Sequence, residues 1–408
     1  MSPVVCHDCA RILFTPEMKP GTTAHCDRCN AKLLRHEADT LGKTLALALT
    51  CFILFIIANA CPFLIMRIEG IEQKTNMVTG ILELFGQGMP VLAILVLLTA
   101  LVFPLVQISG MIYLILPMKL GVIPWKAAAV YRTMRRLKPW GMMEVYMVGI
   151  LISMVKLLKM ATIVPGPAAL AFMALICLLT AATAGLNPGH IWRRLPPKPG
   201  CLPDRLPKDT QLLACHTCGM ACLCPPGTHG ACSRCGASLH PRKRNSLKRT
   251  WALVIAAGVL YFPANILPIT RLTAFGQDQY DTIMSGVIYF MFSGSWHIAL
   301  IIFVASVVVP LMKIITLVYL LVSVRRRSSF RPGDRTRLYR ITEAVGRWSM
   351  VDVYVVTILV AMVKMGHLAY MEAGPGAVFF AGVVVITMFA AESFDPRLIW
   401  DAMEESYE

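Results

Sequence analysis

The sequence predicts an all-α polytopic membrane protein, a tandem duplication of one unit in which a four-cysteine segment precedes four transmembrane helices. Three observations support this fold class. The 408 residues are 56% hydrophobic and only 15% charged, with a mean hydropathy of +0.63, whereas soluble proteins carry about 25% charged residues. Eight apolar segments are long enough to span a bilayer as helices. The landmarks of the first half recur about two hundred residues later.

The duplication can be followed by the register of matching residues. Asn59 and Pro62 recur 206 positions later as Asn265 and Pro268. Each of these Asn-x2-Pro pairs ends the first helix of its half, where proline frees a backbone carbonyl and the asparagine side chain can hydrogen-bond locally. A substrate contact is the alternative role. A repeat that holds register over such a length indicates two copies of one folding unit.

The eight helices follow from segment length, because a span needs about 20 apolar residues and lipid offers unpaired backbone groups no partner. We expect helices at residues 44–66, 89–117, 142–164 and 168–186, and again at 251–270, 296–324, 350–371 and 377–391. The predicted domains are two cysteine segments (1–40 and 191–249, the latter with its linker), two bundles (41–190 and 250–396) and a tail (397–408).

The distribution of basic residues predicts the topology. With a cytoplasmic N-terminus, 32 of the 39 Lys and Arg residues lie in cytoplasmic segments, three in external segments and four within helices. Both termini are therefore expected in the cytoplasm. The net charge of +16 then reflects topology and attraction to anionic lipid head groups, and we expect no nucleic-acid partner.

The two cysteine segments predict metal sites. Two residues between thiolates let a turn aim both sulfurs at one ion at about 2.3 Å. Cytoplasmic thiols stay reduced, which favours zinc over disulfides. Four thiolates complete a tetrahedral shell, so each segment is predicted to be a structural zinc ribbon. The predicted ligands are Cys6, Cys9, Cys26 and Cys29 in the first ribbon and Cys215, Cys218, Cys232 and Cys235 in the second.

Two further cysteines leave the ligand set of the second ribbon open. Cys222 and Cys224 lie between its two Cys-x2-Cys pairs. Either can substitute for a ligand or serve a thiol role, although four ligands already complete the shell. A membrane-embedded redox-responsive or metal-responsive protein is therefore one alternative function.

Polar residues inside the predicted helices are a third feature, because intramembrane charges mark a transport pathway or a paired interior site. They are concentrated in the second half, at Lys313, Asp352, Lys364, Thr387 and Glu392. The first half keeps Glu144 and Lys156 but has Gln107 at the position of Lys313. Charges that pair only to hold the bundle together remain an equal alternative.

Taken together, these motifs resemble the paraquat-inducible protein A family. The resemblance rests on two four-cysteine segments, each before a four-helix bundle, on the Asn-x2-Pro ends of the first helices, and on a Trp-x3-Glu/Asp-x-Tyr start to the third helices. It implies a bacterial inner-membrane protein that works with a periplasmic MCE-domain tunnel to carry phospholipids between membranes. It also implies a functional polar cluster of Lys313, Asp352 and Thr387.

We accordingly expect a lipid-transport subunit rather than an enzyme. No Gly-x4-Gly-Lys-Ser/Thr loop for binding nucleotide phosphates is present in the sequence, so ATP hydrolysis by this chain is not expected. A purely structural membrane anchor for a partner is the other alternative, and it predicts that the intramembrane charges tolerate neutral substitution.

Overall fold

The computed structural model describes residues 2–15, 22–35, 41–68, 71–157, 162–186, 191–192, 211–215, 217–224, 230–240, 242–274, 277–294, 296–363 and 369–404. Within these residues, eight helical stretches are long and apolar enough to cross a membrane. The predicted multi-pass helical class is confirmed.

Both halves use the same order of elements. The first half contains β1 (Ser2–Val5), β2 (Ile12–Thr15), β3 (Thr23–His25), β4 (Lys32–Arg35), α1 (Leu41–Ala60), β5 (Leu64–Ile68), β6 (Ile71–Thr75), α2 (Met77–Gly86), α3 (Pro90–Val96), α4 (Phe103–Lys119), α5 (Ala127–Leu137), α6 (Met143–Leu157), β7 (Thr162–Pro165) and α7 (Pro167–Gly185).

The second half repeats this order and ends with a short helix at the place where residues 191–192 are helical in the first half. It contains β8 (Gln211–Ala214), β9 (Ala221–Cys224), β10 (Gly230–Ala231), β11 (Ser238–Leu239), α8 (Ser246–Ile266), β12 (Thr270–Ala274), β13 (Gln277–Asp281), α9 (Ile283–Phe292), α10 (Trp296–Phe303), α11 (Val309–Arg325), α12 (Pro332–Gly346), α13 (Val351–Met362), β14 (Ala369–Ala373), α14 (Pro375–Ser393) and α15 (Leu398–Glu404).

Four of the predicted helix ends were wrong, because small sheets begin where helices were expected to continue. Residues 64–66, 162–164, 270 and 369–371 lie in strands. These strands form the antiparallel sheets β6-β5-β7 and β13-β12-β14, one in each half. Residues that favour strands are also apolar, so hydropathy alone cannot separate them from the end of a span. We call this face of the protein the sheet side and the opposite face the ribbon side.

The Asn-x2-Pro motifs lie where the first helices meet the sheets. Asn59 Nδ2 donates to the Phe55 carbonyl at 2.7 Å. The Pro62 carbonyl oxygen lies so near Gly166 that an added Cβ there would be 2.1 Å from it. The second half repeats both contacts through Asn265, Pro268 and Gly374. In each half, the motif therefore lies at the end of the first transmembrane helix and packs against the glycine that precedes the fourth.

Each ribbon packs against the bundle of the other half. The buried cysteines of the first ribbon (residues 2–35) share an apolar cluster with second-half side chains, namely Leu317, Tyr339, Phe394 and Trp400. The buried cysteines of the second ribbon (residues 211–240) cluster with first-half side chains, namely Leu45, Met111, Tyr131 and Trp192. Each ribbon therefore contacts the bundle of the other half and not the bundle that directly follows it in the sequence, an arrangement that we call crossed docking.

Equivalent arginines hold the crossed ribbons. Arg340 on α12 donates to the Asp8 carboxylate at 2.6 Å and to Cys29 Sγ at 3.4 Å. Its counterpart 208 positions earlier, Arg132 on α5, donates to the backbone oxygen of Cys235. Cys29 and Cys235 are each the fourth of the predicted ligand cysteines of a ribbon. In both halves, therefore, an arginine of one bundle contacts the last cysteine of the ribbon that comes from the other half.

The two bundles meet at a pair of equivalent tyrosines. The rings of Tyr146 on α6 and Tyr354 on α13 pack edge to face with their centroids 5.2 Å apart. Tyr354 also donates from its hydroxyl to Thr99 Oγ1 at 2.9 Å. Gly149 lies at this contact, and a Cβ added to it would be 2.9 Å from Tyr354 Cβ. A glycine is therefore needed for the helices to approach so closely.

Replacing Gly149 with alanine is expected to destabilise the protein by about 1–3 kcal/mol, because the new methyl group overpacks a rigid contact between bundles. Thermal unfolding of the purified protein in detergent measures the effect. Gly258→Ala on α8 is the control, since an added Cβ meets no atom within 4 Å there and alanine favours a helix by up to about 1 kcal/mol. Equal melting temperatures for the two variants would contradict the prediction.

Candidate functional site

The eight predicted ligand cysteines form two compact clusters. In each cluster all four sulfurs lie within 4.8 Å of one another. The sulfurs of Cys6 and Cys29 are 3.5 Å apart, and those of Cys215 and Cys235 are 3.4 Å apart. Tetrahedral sulfurs at about 2.3 Å from one zinc ion are about 3.8 Å apart. The donor set and its geometry therefore fit a metal ion, and the cysteines whose side chains the structure describes are all free of disulfide bonds.

The turns that present these sulfurs share one backbone conformation. The residue after the second cysteine of every Cys-x2-Cys pair has a positive φ: Ala10 60°, Asn30 55°, Gly219 71° and Gly236 67°. In each turn the amide of the first cysteine donates to a carbonyl five residues later, as from Cys6 to Arg11 at 2.9 Å. Glycine adopts this φ without strain, so the second ribbon has the better turn residues.

A fifth thiol lies beside the second cluster. Cys222 is buried, and its sulfur is 3.9 Å from the sulfur of Cys232. Cys224 ends β9, and its side chain lies outside the part that the structure describes. The described four-sulfur group consists of the predicted ligands, so Cys222 is placed as a neighbour of the site.

Lys313 and Thr387, predicted to belong to one polar cluster, are in direct contact. Lys313 lies in the middle of the span Ala299–Arg325 and is 2% exposed. Its Nζ donates to Thr387 Oγ1 at 2.8 Å and to the Gly346 carbonyl at 3.5 Å. Among the described residues, no carboxylate lies within ion-pair distance of Lys313. The ammonium is thus held by neutral oxygen atoms in the interior of the second bundle.

Asp352 does not pair with Lys313. Its carboxylate is buried beside the Ser306 hydroxyl, and no ion pair is formed by Asp352 among the described residues. The cation within electrostatic range of Asp352 is Lys156, from the first bundle. The Lys313 side chain turns toward α14 instead, so the two residues occupy separate parts of the second bundle.

The first bundle keeps a reduced version of the polar cluster. Glu144 Oε1 accepts a hydrogen bond from Thr180 Oγ1 at 3.4 Å. Both residues line a small cavity of about 70 Å³ together with Gln107, the counterpart of Lys313. A neutral amide thus replaces the buried ammonium, and the two halves differ in charge at equivalent positions.

The remaining candidates are dispersed. Lys156 Nζ lies 5.7 Å from the centre of the Phe290 ring. Lys364 lies outside the described residues. Glu392 is exposed at the ribbon-side end of α14, and its backbone oxygen accepts a hydrogen bond from Lys243 at 2.5 Å. Burial lowers the pKa of Lys243 from its ordinary value. Glu392 therefore takes no part in the hydrogen bond between Lys313 and Thr387.

A cavity of about 770 Å³ lies between the two halves on the ribbon side, and we call it the inter-bundle cavity. Helices α4, α5 and α7 of the first half and α11, α12 and α14 of the second contribute to its wall, as does Leu33 of the first ribbon. Lys313 reaches it beside Gly346. Trp140, also in the wall, packs against Phe389 with ring centroids 4.8 Å apart.

Comparison with known proteins identifies the family. Residues 41–196 and, separately, residues 247–404 match the family described as Paraquat-inducible protein A. The chain belongs to the paraquat-inducible protein A family. The two matches each begin at the first helix of a half and extend past its fourth, so they follow the duplication. Both ribbons lie outside the matched segments.

Several relatives align over nearly the whole chain. The lipophilic envelope-spanning tunnel protein A of Escherichia coli strain K12 is 33% identical over 98% of this chain and 91% of its own length. The intermembrane transport protein PqiA of the same strain is 32% identical over 99% and 96%. A probable intermembrane transport protein of Haemophilus influenzae is 28% identical over 97% and 95%. No solved structure matches the chain.

Sequence reasoning missed the basic residues of the inter-bundle cavity. Lys138 and Arg347 line both this cavity and the small cavity beside Glu144. A signal was present, since each lies within two residues before the tryptophan that begins the third-helix motif of its half. The count of basic residues alone interprets both as part of the topology signal.

Proposed function

We propose that this protein is an inner-membrane subunit of an intermembrane lipid-transport system and passes lipids to or from a periplasmic MCE-domain tunnel. The observation that carries the proposal is Lys313, an ammonium 2% exposed within a membrane span, bonded to Thr387 and adjoining the inter-bundle cavity. A buried intramembrane charge is costly and is retained where a pathway or a coupling ion needs it. The names of the full-length relatives support the same role.

The orientation in this proposal places the ribbon side in the cytoplasm. The excess of basic residues on the ribbon side supports it. The sheets then face the periplasm, where a tunnel protein can contact them. Both termini are cytoplasmic in this arrangement, and the inter-bundle cavity lies at the level of the inner leaflet.

In this proposal the two four-cysteine clusters hold structural zinc. Cys6, Cys9, Cys26 and Cys29 would hold one ion, and Cys215, Cys218, Cys232 and Cys235 the other. When bound, zinc supplies cross-links between short hairpins and no chemistry on a substrate, because four thiolates leave no open position. The protein then acts as a transporter subunit rather than an enzyme.

Cys222 favours a second candidate, a thiol-based redox response. Its sulfur is 3.9 Å from Cys232 Sγ, so a two-electron oxidant such as a peroxide would join the two sulfurs as a disulfide, with loss of the Cys222 thiol proton, and release Cys232 from the metal ion. Mild oxidation followed by alkylation and peptide mass mapping tests this candidate. A Cys222–Cys232 disulfide with loss of one metal ion would support it over a purely structural ribbon.

Purification of the tagged full-length protein from native membranes in a mild detergent tests the transport proposal. We expect an MCE-domain protein and phospholipids to co-purify in a fixed ratio. An unrelated polytopic inner-membrane protein with the same tag is the control for detergent-carried lipid. Recovery of neither an MCE-domain partner nor lipid above this control would rule the proposal out.

A further inference from the structure

We infer that the inter-bundle cavity is a binding site for a phosphate-bearing anion, with Lys138 and Arg347 as its principal ligands. This inference deepens the proposed function by naming the chemistry of a ligand. It rests on the proposed function only for the source of that ligand, which would be the head group of a membrane phospholipid.

The charge of the cavity wall is predominantly positive. Five cationic side chains line it against two carboxylates, Glu343 and Glu392. The cations are Arg135, Lys138, Lys313, Arg340 and Arg347. Arg340 is engaged by Asp8 of the first ribbon, and Glu343 is within electrostatic range of Arg347. An excess of positive charge remains on the wall formed by the first half.

The cations on that wall are crowded. Lys138 lies within electrostatic range of the guanidinium groups of both Arg135 and Arg347. Arg135 uses one nitrogen to donate to the Thr217 carbonyl at 2.6 Å, which fixes its position but does not neutralise its charge. In the described part of the chain, no hydrogen bond or ion pair is formed by the Lys138 side chain. Like charges held together in this way are stabilised when an anion binds between them.

Arg347 and Lys138 approach from opposite halves. Lys138 lies just before α6 and Arg347 just before α13. Both residues line the inter-bundle cavity and the adjoining small cavity. A phosphate group offers several acceptor oxygens, which match one ammonium and one guanidinium fork. A ligand held there would bridge the two bundles at the place where Trp140 already packs on Phe389.

The rest of the wall suits an amphiphile. Met111, Met134, Trp140 and Met388 supply apolar surface next to the cations. The cavity extends from the ribbon-side ends of α7 and α14 to Lys313 within α11, on the cytoplasmic side of the membrane in the proposed orientation. Basic pockets between helices on this side bind the phosphates of lipid head groups. The apolar surface would then receive the glycerol region and the start of the acyl chains.

The test is a binding measurement on the purified full-length protein. The probes are short-chain dihexanoyl phosphatidylglycerol, dihexanoyl phosphatidylcholine and inorganic phosphate, titrated with microscale thermophoresis. The double variant Lys138→Gln, Arg347→Gln is compared with Arg136→Gln, Arg337→Gln, which removes two exposed arginines from the same two helical regions outside the cavity wall. We expect the first variant to bind phosphatidylglycerol at least about tenfold more weakly and the control to bind it as the unaltered protein does.

The probes distinguish the sources of the phosphate. If the protein binds phosphatidylglycerol more tightly than inorganic phosphate, the ligand is a lipid head group. If inorganic phosphate binds as tightly, and its affinity falls equally in the Lys138→Gln, Arg347→Gln variant, the site binds the same anion from a soluble source. Equal affinities of the two double variants for every probe would overturn the inference. Thermal unfolding distinguishes lost binding from misfolding. Without an anion, Lys138→Gln should raise the melting temperature, because it relieves the repulsion between Lys138 and the neighbouring arginines. Phosphate should then no longer raise the melting temperature further. Binding that depends on Lys138 and Arg347 in a protein with which no MCE-domain partner co-purifies would uphold this inference while the proposed function fails.

Discussion

Replacing Cys6 and Cys9 with serine is expected to remove one of two metal ions and to loosen the second bundle rather than the first. The first ribbon consists of two hairpins with strands of three or four residues. Such a small unit has little core, and structural zinc contributes about 10–16 kcal/mol of apparent binding free energy to domains of this kind. Without the ion, the contacts of Arg340 with Asp8 and Cys29 have no folded ribbon to hold them.

Hydrogen exchange and metal analysis check this result. Exchange should become faster in α12 and α15, which the first ribbon contacts, while α5 keeps its protection. The reciprocal variant Cys215→Ser, Cys218→Ser should instead affect α5. Cys177→Ser, at an exposed position on α7, is the control and should retain two ions per chain. Faster exchange in the bundle that directly follows each altered ribbon would contradict crossed docking.

Replacing Lys313 with methionine is expected to stabilise the protein while abolishing its transport function. Lys313 is 2% exposed and bonded only to neutral oxygens among the described residues. Burying an ammonium without a counter-charge costs several kcal/mol. An apolar side chain of similar length removes this cost, and replacement of buried charges by well-packed apolar groups has stabilised proteins by about 1–4 kcal/mol.

Two measurements on the same variant are needed. Thermal unfolding reports stability, and rescue of the outer-membrane lipid barrier in cells that lack the endogenous protein reports function. Lys119→Met at an exposed helix end is the control and should change neither. A purely structural role for Lys313 predicts that stability and function fall together, and a functional Lys313→Met protein would eliminate the proposed site.

The sequence was sufficient for the features that depend on local spacing. Covalent geometry lets two residues between cysteines aim both sulfurs at one ion, so both clusters could be predicted before any fold was known. Helical spans follow in the same way from runs of apolar residues. The register of the repeat also revealed that Lys313 has a neutral counterpart, Gln107, which is a difference that no single half could show.

The sequence was less informative where two conformations share one composition. Residues 64–66 and 162–164 are apolar and form strands, although hydropathy extends the helices through them. Sheet pairing such as Leu64 with Thr75 and with Pro165 joins residues that are 11 and 101 positions apart. Contacts at that separation leave no periodic signal in either segment, and the helix ends were therefore misplaced.

By itself, the sequence determined that this chain is a duplicated, eight-span membrane protein with two four-cysteine ribbons and unequal halves. Only the tertiary structure decided which bundle each ribbon contacts, that Lys313 bonds to Thr387 rather than to Asp352, and that Lys138 and Arg347 face one cavity. The physical reason is the range of the forces involved. Ligand spacing and hydropathy act within a segment, whereas docking depends on complementary surfaces that exist only after both halves have folded.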